Sequence, residues 1–180
     1  MKRKAVKKEV KKVTKKKSAK KNTIKIAMFG AGCFWGVEEA FRILPGVIAT
    51  EVGYAGGTLK GAIYEDVCGG GTGHAEVVRA TYDSKKIIYK KLLEVFFSIH
   101  DPTQMNRQGP DVGSQYRSVI FYFDGAQRRE AEESMKKEQM KHARNIATSI
   151  EKASLYVKAE EYHQKYIFKG GRAGCAIWIN

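Results

Sequence analysis

Hydrophobic residues recur at two different spacings along residues 23–169. Short apolar runs and two-residue alternation predict strands, whereas apolar positions three and four residues apart predict helices. The predicted strands are 23–29, 47–54, 75–82 and 118–123, with a further edge strand near 146–149 or 154–156. The predicted helices are 33–44, 84–100, 125–144 and 159–169.

The order of these segments predicts the fold class. Strands and helices alternate, which favours helices packed on a sheet. The number of elements is typical of an α+β protein, specifically a two-layer α/β sandwich with a ferredoxin-like core. Two segments, 55–73 and 101–115, are rich in turn-forming residues, so we expect loops there. Loops as long as these usually carry function.

Basic residues are concentrated at the N-terminus. The 180 residues include 33 Lys and Arg against 19 Asp and Glu, for a net charge of +14. Residues 1–22 contain twelve of the basic residues and one acid, so they carry +11 and leave only +3 for residues 23–180. We expect a disordered Lys-rich tail, 1–22, followed by one folded domain, 23–180. The tail is a candidate for contact with nucleic acid or anionic lipid, whereas the balanced charge of the domain argues against a nucleic-acid-binding body.

The sparse cysteines indicate a reducing compartment. Cys33, Cys68 and Cys175 do not form a secreted disulfide framework, and no CxxC pair occurs. The four histidines lack zinc-binding spacing, so we expect no metal. No apolar run is long enough to span a bilayer, and because no apolar segment follows the basic start we expect no secretory signal. We therefore expect a cytoplasmic protein, and we expect it to be a monomer.

Cys33 is the strongest candidate for a reactive residue. It follows Gly30-Ala31-Gly32, between a predicted strand and a predicted helix, so it should lie at the helix N-terminus. Unpaired N–H groups and the positive end of the helix dipole stabilise a thiolate there. A thiolate is the nucleophilic form, and the glycines allow another molecule to approach the sulfur. The alternative is a buried cysteine that fills space behind a turn.

Two aromatic residues, Phe34 and Trp35, directly follow Cys33. Successive helix positions point about 100° apart, so the two side chains do not easily share one narrow core stripe. We expect at least one of them to stand beside the sulfur, as an apolar wall that binds a methyl or thioether group. The alternative is that both belong to the core.

Candidate proton donors lie in three other segments. Glu76 interrupts an alternating apolar strand. If its side chain points inward, burial raises its pKa and makes it a neutral acid near the thiolate, whereas an outward position would make it a surface carboxylate. Tyr64 and Tyr116 come from the two loop regions, and their hydroxyls are candidate hydrogen-bond donors. Asp111 in the second loop is a further candidate site residue.

A second thiol could form a disulfide with Cys33. Cys175 follows the glycine-rich segment 170–174, which we expect to be a mobile C-terminal arm that can reach Cys33. Cys68 is followed by three glycines and could do the same. The residues by themselves leave both pairings open, along with a plain linker role for each segment.

Five motifs occur in series between about Ile24 and Gln164. They are Gly32-Cys33-Phe34-Trp35-Gly36, Gly53-Tyr54-Ala55-Gly56-Gly57, Gly73-His74-Ala75-Glu76-Val77-Val78, Arg107-Gln108-Gly109-Pro110-Asp111 with Gln115-Tyr116-Arg117-Ser118, and Ala159-Glu160-Glu161-Tyr162-His163-Gln164. Together, and with compatible spacing, they resemble the A-type peptide-methionine sulfoxide reductases. One motif alone would be weak, but five in series are specific. Before Tyr64 that family often has Asn-Pro-Thr where this chain has Gly61-Ala62-Ile63, so we expect this loop to be set differently.

The resemblance implies a reaction and its central residues. The reaction is reduction of the S epimer of methionine sulfoxide, free or in proteins, without metal or flavin. Cys33 would be the nucleophile and Glu76 the proton donor to the sulfoxide oxygen. Tyr64 and Tyr116 would hydrogen-bond that oxygen. The fold implied is again a two-layer α/β sandwich with a ferredoxin-like core.

The resemblance also implies substrate contacts and a recycling route. Phe34 and Trp35 would enclose the methyl group of the substrate, and Asp111 would help to hold it. Cys175 matches the C-terminal recycling position of members of the family. Thioredoxin, or a similar dithiol, would then reduce the Cys33–Cys175 disulfide.

Two other functions remain open from the sequence. A thiol peroxidase or oxidant sensor could use the same Cys33, although it needs no thioether-binding wall. A binding module could use the Lys-rich tail as its contact and residues 23–180 as a passive scaffold. That last hypothesis leaves Cys33 and its neighbours unexplained.

Overall fold

The structure is a computed structural model that describes residues 23–172. Its elements in chain order are β1 (Ile24–Ala31), α1 (Phe34–Arg42), β2 (Val47–Ala55), α2 (Tyr64–Gly69), β3 (Ala75–Asp83), α3 (Tyr89–Ser98), β4 (Arg107–Gln108), β5 (Asp111–Val112), a 3₁₀ turn (Ser114–Tyr116), β6 (Ser118–Tyr122), α4 (Gly125–Gln139), β7 (Ser149–Lys152) and β8 (Tyr156–Lys158). The Lys-rich tail, 1–22, and Cys175 lie outside the described residues. No helix within the described range is long and apolar enough to cross a membrane.

Six strands form a single sheet in the order β7–β6–β1–β3–β2–β8. Neighbouring strands are antiparallel, except that β6 and β7 are parallel. Helix α1 connects β1 to β2, and α3 lies between β3 and β6. The predicted mixture of a sheet with helices packed on it is confirmed. Because β1 and β3 are antiparallel neighbours, the end of β1 lies beside the start of β3, and this is where the chain places its reactive groups.

Both faces of the sheet are covered by apolar side chains. On one face Phe29 of β1 stacks on Phe41 of α1 and on Phe96 of α3, with ring centroids 5.1 and 5.3 Å apart. A smaller cluster on the other face consists of Met28, Ala55, Ala75, Val77, Val119 and Phe121, with Ala153 and Tyr156 against it. Burial on both faces explains why β1 is apolar almost throughout and does not alternate with polar residues.

Three of the predicted helices are shorter in the structure, α1 by one residue at its start and two at its end, and α3 and α4 by more. α3 begins at Tyr89, later than predicted, because the Asp83 carbonyl accepts a hydrogen bond from Ile87 N in a preceding turn. α4 ends at Gln139, earlier than predicted, and the side-chain oxygen of Gln139 accepts from Ile146 N in the next segment. Hydrogen bonds of a turn before α3 and of a side chain after α4 therefore set these two boundaries, and hydrophobic periodicity alone does not reveal them.

The predicted helix over 159–169 is wrong. Residues 161–170 form consecutive turns, and Lys165 has a left-handed φ of 52° that interrupts any helix. Lys165 N donates to the buried Glu38 carboxylate at 2.6 Å, so its hydrogen bond goes to α1. The Gln164 side chain meanwhile bonds both the N–H and the C=O of Val52 on β2. Tertiary partners therefore decide the backbone conformation here.

Loop regions in the sequence contain more structure than predicted. Residues 55–73 include the short helix α2, and residues 101–116 include the β4–β5 hairpin and the 3₁₀ turn. Asp101 organises the start of the second region by accepting hydrogen bonds from Thr103 N and from the Gln104 amide. The single predicted edge strand is in fact two strands, β7 and β8, at opposite edges of the sheet.

Candidate active site

Cys33 lies at the N-terminus of α1, immediately after the end of β1. It is the N-cap residue of the helix and is partly exposed. Gly32 before it has a φ of +91°, and a Cβ there would come within 2.7 Å of the Gln108 side chain. Only glycine fits both that backbone conformation and that approach. The turn therefore places the Cys33 sulfur at the N-terminus of α1, where the positive end of the helix dipole stabilises a thiolate.

Glu76 on β3 faces the same helix terminus. Its side chain is buried, with 2% of the residue exposed, and its Oε2 accepts a hydrogen bond from Phe34 N at 3.0 Å. Burial, with a smaller contribution from the charge of Asp111, outweighs that hydrogen bond and raises the pKa of Glu76 to about 8. The carboxyl is therefore protonated at neutral pH, next to the backbone of the residue that follows Cys33. The inward orientation is the one that the proton-donor hypothesis requires.

Two tyrosines lie close enough to Glu76 for its charge to act on their hydroxyls. Tyr64 begins α2 and Tyr116 ends the 3₁₀ turn. A hydrogen bond with Cys68 and then burial raise the pKa of Tyr64, and the charges of Glu76 and Cys33 add to the effect. Burial and then the charge of Glu76 raise the pKa of Tyr116. Both phenols stay protonated at neutral pH, so each hydroxyl can donate a hydrogen bond, that of Tyr64 in exchange for its bond with Cys68.

The aromatic pair after Cys33 is divided between the core and a partly exposed surface. Phe34 is 1% exposed, and its ring packs against Tyr54 at 5.9 Å and His163 at 5.1 Å between centroids. Trp35 is half-buried, and its ring stacks on Tyr166 at 3.9 Å. The two side chains therefore do point in different directions, as expected from helix geometry, and Trp35 is the more accessible of the two.

His163 joins these aromatic rings, and sequence reasoning assigned no role to it. The ring is buried, and its Nδ1 accepts a hydrogen bond from the Trp35 indole at 2.9 Å. It also packs against Tyr64, with 4.8 Å between ring centroids. Burial lowers the pKa of His163, so it is neutral at pH 7. The sequence signal for His163 was its position in the motif over 159–164. That motif does not reveal the contact with Trp35, which lies 128 residues away in the chain.

Asp111 lies on the β4–β5 hairpin, opposite Gln108. Since Gln108 contacts Gly32, the hairpin borders the turn that carries Cys33. The Asp111 carboxylate is close enough for its charge to contribute to the raised pKa values of Glu76 and Tyr116. The structure thus brings Asp111 to the same site from a distant part of the chain.

The second thiol remains a prediction. Cys175 lies outside residues 23–172, so its position relative to Cys33 is not described. Cys68 is exposed on α2 and contacts the Tyr64 hydroxyl, which places it at the edge of the site. Which of Cys68 and Cys175 forms a disulfide with Cys33 is therefore a question for experiment.

A separate cleft between two helices lies away from this site. A cleft of about 410 Å³ lies between α3 and α4 and is lined by Lys90, Glu94, Phe97, Ser98, Glu130, Glu133, Ser134, Lys137, Glu138 and Lys141. None of these residues belongs to the group around Cys33, and their charges are mixed. We place the candidate active site by the convergence of a nucleophile and acids at α1, because chemistry depends on those groups more than on cleft size.

Comparison with known proteins gives one consistent family. A family model described as peptide methionine sulfoxide reductase matches residues 25–180. The peptide methionine sulfoxide reductase MsrA of Methanothermobacter thermautotrophicus is 58% identical over 153 residues, which cover 84% of this chain and 90% of that protein. The crystal structure of Saccharomyces cerevisiae Mxr1 in reduced form superposes with a TM-score of 0.81 at 38% identity, covering 87% of this chain and 90% of Mxr1. Mxr1 in complex with Trx2 matches with a TM-score of 0.58 at 28% identity, covering 84% of this chain and 91% of that chain.

Proposed function

Since this chain belongs to the peptide methionine sulfoxide reductase family, we propose that it reduces the S epimer of methionine sulfoxide, free or in proteins, with Cys33 as the nucleophile. The observation that carries the residue assignment is the buried Glu76 carboxyl, held 3.0 Å from Phe34 N at the helix terminus that bears Cys33. A nucleophile and a neutral acid at one helix end are what sulfoxide reduction requires.

The chemistry joins attack on sulfur to protonation of oxygen. A sulfoxide sulfur becomes electrophilic as its oxygen gains a proton, so donors must converge on the oxygen while the Cys33 thiolate attacks the sulfur. Glu76 supplies the proton, and the pKa of about 8 keeps it in the donor form at neutral pH. The oxygen ends on Cys33 as a sulfenic acid, and the sulfur leaves as methionine.

The remaining site residues hold the substrate. Tyr64 and Tyr116 donate hydrogen bonds to the sulfoxide oxygen and stabilise the charge that develops on it. Phe34 and Trp35 enclose the methyl group, with Trp35 as the more accessible wall. Asp111, whose charge acts on Glu76, borders the site from the β4–β5 hairpin and helps to hold the substrate.

A second thiol and an external reductant complete the cycle. Cys175 condenses with the Cys33 sulfenic acid to form a disulfide and releases one water molecule. Thioredoxin, or a similar dithiol, then reduces the disulfide, and the complex of the yeast relative with Trx2 supports this partner. Two thiols carry both electrons, so the reaction needs no metal or flavin.

The reaction is tested by a stereospecific turnover assay. With dithiothreitol as reductant, we expect methionine from the S epimer of methionine sulfoxide and none from the R epimer. Reduction of hydrogen peroxide in place of the sulfoxide would favour a thiol peroxidase. Equal turnover of both epimers, or no methionine at all, would contradict the proposed function.

The disulfide partner of Cys33 is tested by mass spectrometry. After one equivalent of the S epimer without reductant, we expect a peptide pair that contains a Cys33–Cys175 disulfide, since Cys175 matches the recycling position of the family. A Cys175→Ser variant should still release one methionine per enzyme but accumulate the sulfenic acid. A Cys33–Cys68 disulfide in the wild-type protein would overturn the assignment.

The finer fold assignment is also a proposal. We infer a ferredoxin-like core formed by β1, β2, β3 and β6, with α1 and α3 as its two helices. The strand order β6–β1–β3–β2, antiparallel throughout, supports this arrangement. β7 and β8 would then be additions at the two edges of the core.

The organisation of the whole chain stays a prediction. Residues 23–180 would form the catalytic domain, consistent with the family match over 25–180. The Lys-rich tail, 1–22, would contact nucleic acid or anionic lipid, and such binding should weaken steeply with salt. We expect a monomer in the cytoplasm, where dithiol reductants are available.

A further inference from the structure

Glu160 lies in one of the five motifs, yet neither the sequence reasoning nor the proposed mechanism assigns it a task. Its carboxylate makes two hydrogen bonds that join distant parts of the chain. Oε1 accepts from Tyr64 N at 2.8 Å, and Oε2 accepts from the Tyr54 hydroxyl at 2.9 Å. The side chain is 27% exposed, so it is partly withdrawn from water.

The first of these bonds anchors the helix that carries Tyr64. α2 has only six residues, and a helix of that length is not stable without tertiary contacts. Ile63 occupies its N-cap position and offers no hydroxyl or carboxyl to the helix terminus, where the family often has a threonine. Glu160, 96 residues further along the chain, supplies the acceptor for the Tyr64 N–H instead.

The second bond connects Glu160 to the sheet position beside the acid. Tyr54 on β2 pairs directly with Glu76 on β3, and antiparallel partners point to the same face. The Tyr54 ring is fully buried and packs against Phe34. A single carboxylate therefore ties the start of α2 to a rigid residue that neighbours Glu76.

Hydrogen bonds keep this carboxylate charged. Although burial alone would raise the pKa of Glu160, hydrogen bonds from its backbone, from Tyr64 N and from Tyr54 lower it overall. The His163 ring packs on Tyr64 beside it, with Nε2 3.9 Å from Oε2, which is too far for a hydrogen bond. An ionised acceptor makes a stronger hydrogen bond than a neutral one.

We propose that Glu160 is a positioning residue, which fixes α2 relative to β2 and β3 so that the Tyr64 hydroxyl and the Glu76 carboxyl meet at one sulfoxide oxygen. The inference rests on the proposed function, since it assigns Glu160 an effect through Tyr64. Glu160 itself touches neither substrate nor the reacting sulfur. A donor held in place before the reaction contributes more to catalysis than one that must be ordered during it.

A Glu160→Gln variant tests this directly. Glutamine nearly matches the shape of glutamate but is neutral, so its oxygen accepts a weaker hydrogen bond from Tyr64 N, and its NH₂ group cannot accept the Tyr54 hydroxyl proton. We expect kcat for the S epimer to fall about 10-fold to 100-fold with little change in KM, the size of effect that slight misplacement of a group produces. The matched control is Glu161→Gln, which removes an exposed carboxylate that pairs with Lys169 and should leave kcat unchanged.

A double-mutant cycle with Tyr64→Phe separates positioning from a general loss of structure. If Glu160 acts through the Tyr64 hydroxyl, Glu160→Gln should change kcat by less than about 2-fold once that hydroxyl is gone. Thermal melting of each variant shows whether the fold is kept. Should Glu160→Gln fail to fold, Tyr54→Phe removes one donor to the same carboxylate and is expected to show the same dependence on Tyr64.

The outcomes distinguish this inference from the proposed function. An equal fall in kcat with and without the Tyr64 hydroxyl would overturn the inference, and so would an unchanged kcat in Glu160→Gln. A Tyr64→Phe variant with wild-type kcat would overturn it as well, because no hydroxyl contribution would remain to be positioned. Each of these results concerns variants and is compatible with a wild-type protein that reduces the S epimer. Absence of S-epimer turnover in the wild-type protein would instead contradict the proposed function itself.

Discussion

A Cys33→Ser variant should lose methionine formation from the S epimer almost completely. A serine hydroxyl is not ionised at neutral pH, and oxygen in place of sulfur cannot form the sulfenic acid that receives the sulfoxide oxygen. Removal of a catalytic nucleophile commonly costs several orders of magnitude, so we expect a fall of at least about 10³-fold in kcat. The measurement is methionine released per enzyme with dithiothreitol as reductant.

Cys68→Ser is the matched control for this variant. It makes the same chemical change at an exposed thiol on α2 and leaves Cys33 intact. We expect this protein to retain turnover with dithiothreitol, because an external dithiol can reduce the Cys33 sulfenic acid. Retained turnover in Cys33→Ser, or its selective loss in Cys68→Ser, would show that Cys33 is not the nucleophile.

A Glu76→Gln variant should reduce the rate of methionine formation by about 10²-fold or more, the usual scale of general acid catalysis. Glutamine occupies nearly the same volume, and its carbonyl can still accept the hydrogen bond from Phe34 N, so the start of α1 should keep its geometry. What is lost is the acidic proton that a carboxyl with a pKa of about 8 holds at neutral pH. Single-turnover kinetics isolate this step from recycling.

Glu38→Gln provides the same substitution at a second buried carboxyl. Glu38 lies on α1, where its carboxylate accepts hydrogen bonds from Thr50 and from Lys165 N, and burial raises its pKa as well. Its effect on the chemical step should be small, although it can lower stability. If Glu38→Gln lowered the single-turnover rate as much as Glu76→Gln, the loss in Glu76→Gln would not be due to a proton from Glu76. A Glu76→Gln variant with the wild-type rate would contradict the proton-donor role.

The position of Cys33 could be predicted because the signal is local. A strand, a glycine turn and an amphipathic helix follow one another within a few residues, and the structure confirms that the helix begins immediately after Cys33. The inward orientation of Glu76 could not be decided in the same way. Both faces of the sheet are buried, so alternation along β3 does not distinguish inside from outside.

The features that the sequence missed depend on long-range contacts. Helix α2 lies among glycines and takes the acceptor for its first N–H from Glu160. The segment over 159–169 does not form a helix, because side chains on α1 and β2 take its hydrogen bonds. The role of His163 depends on Trp35, 128 residues away. A single sequence carries no record of such pairs, since each residue type is compatible with many partners.

The central claim is that a protonated Glu76 donates to the sulfoxide oxygen while Cys33 attacks. The measurement that tests it most directly is the pH dependence of the single-turnover rate at limiting S-epimer concentration, for the wild-type protein and for Glu76→Gln. Because burial raises the pKa of Glu76, the donor form is complete below that pKa and is lost as the pH rises through about 8. The wild-type rate should therefore fall about tenfold per pH unit above pH 8, and this fall should be absent in Glu76→Gln. A wild-type rate that stays level or keeps rising to pH 10 would contradict the account.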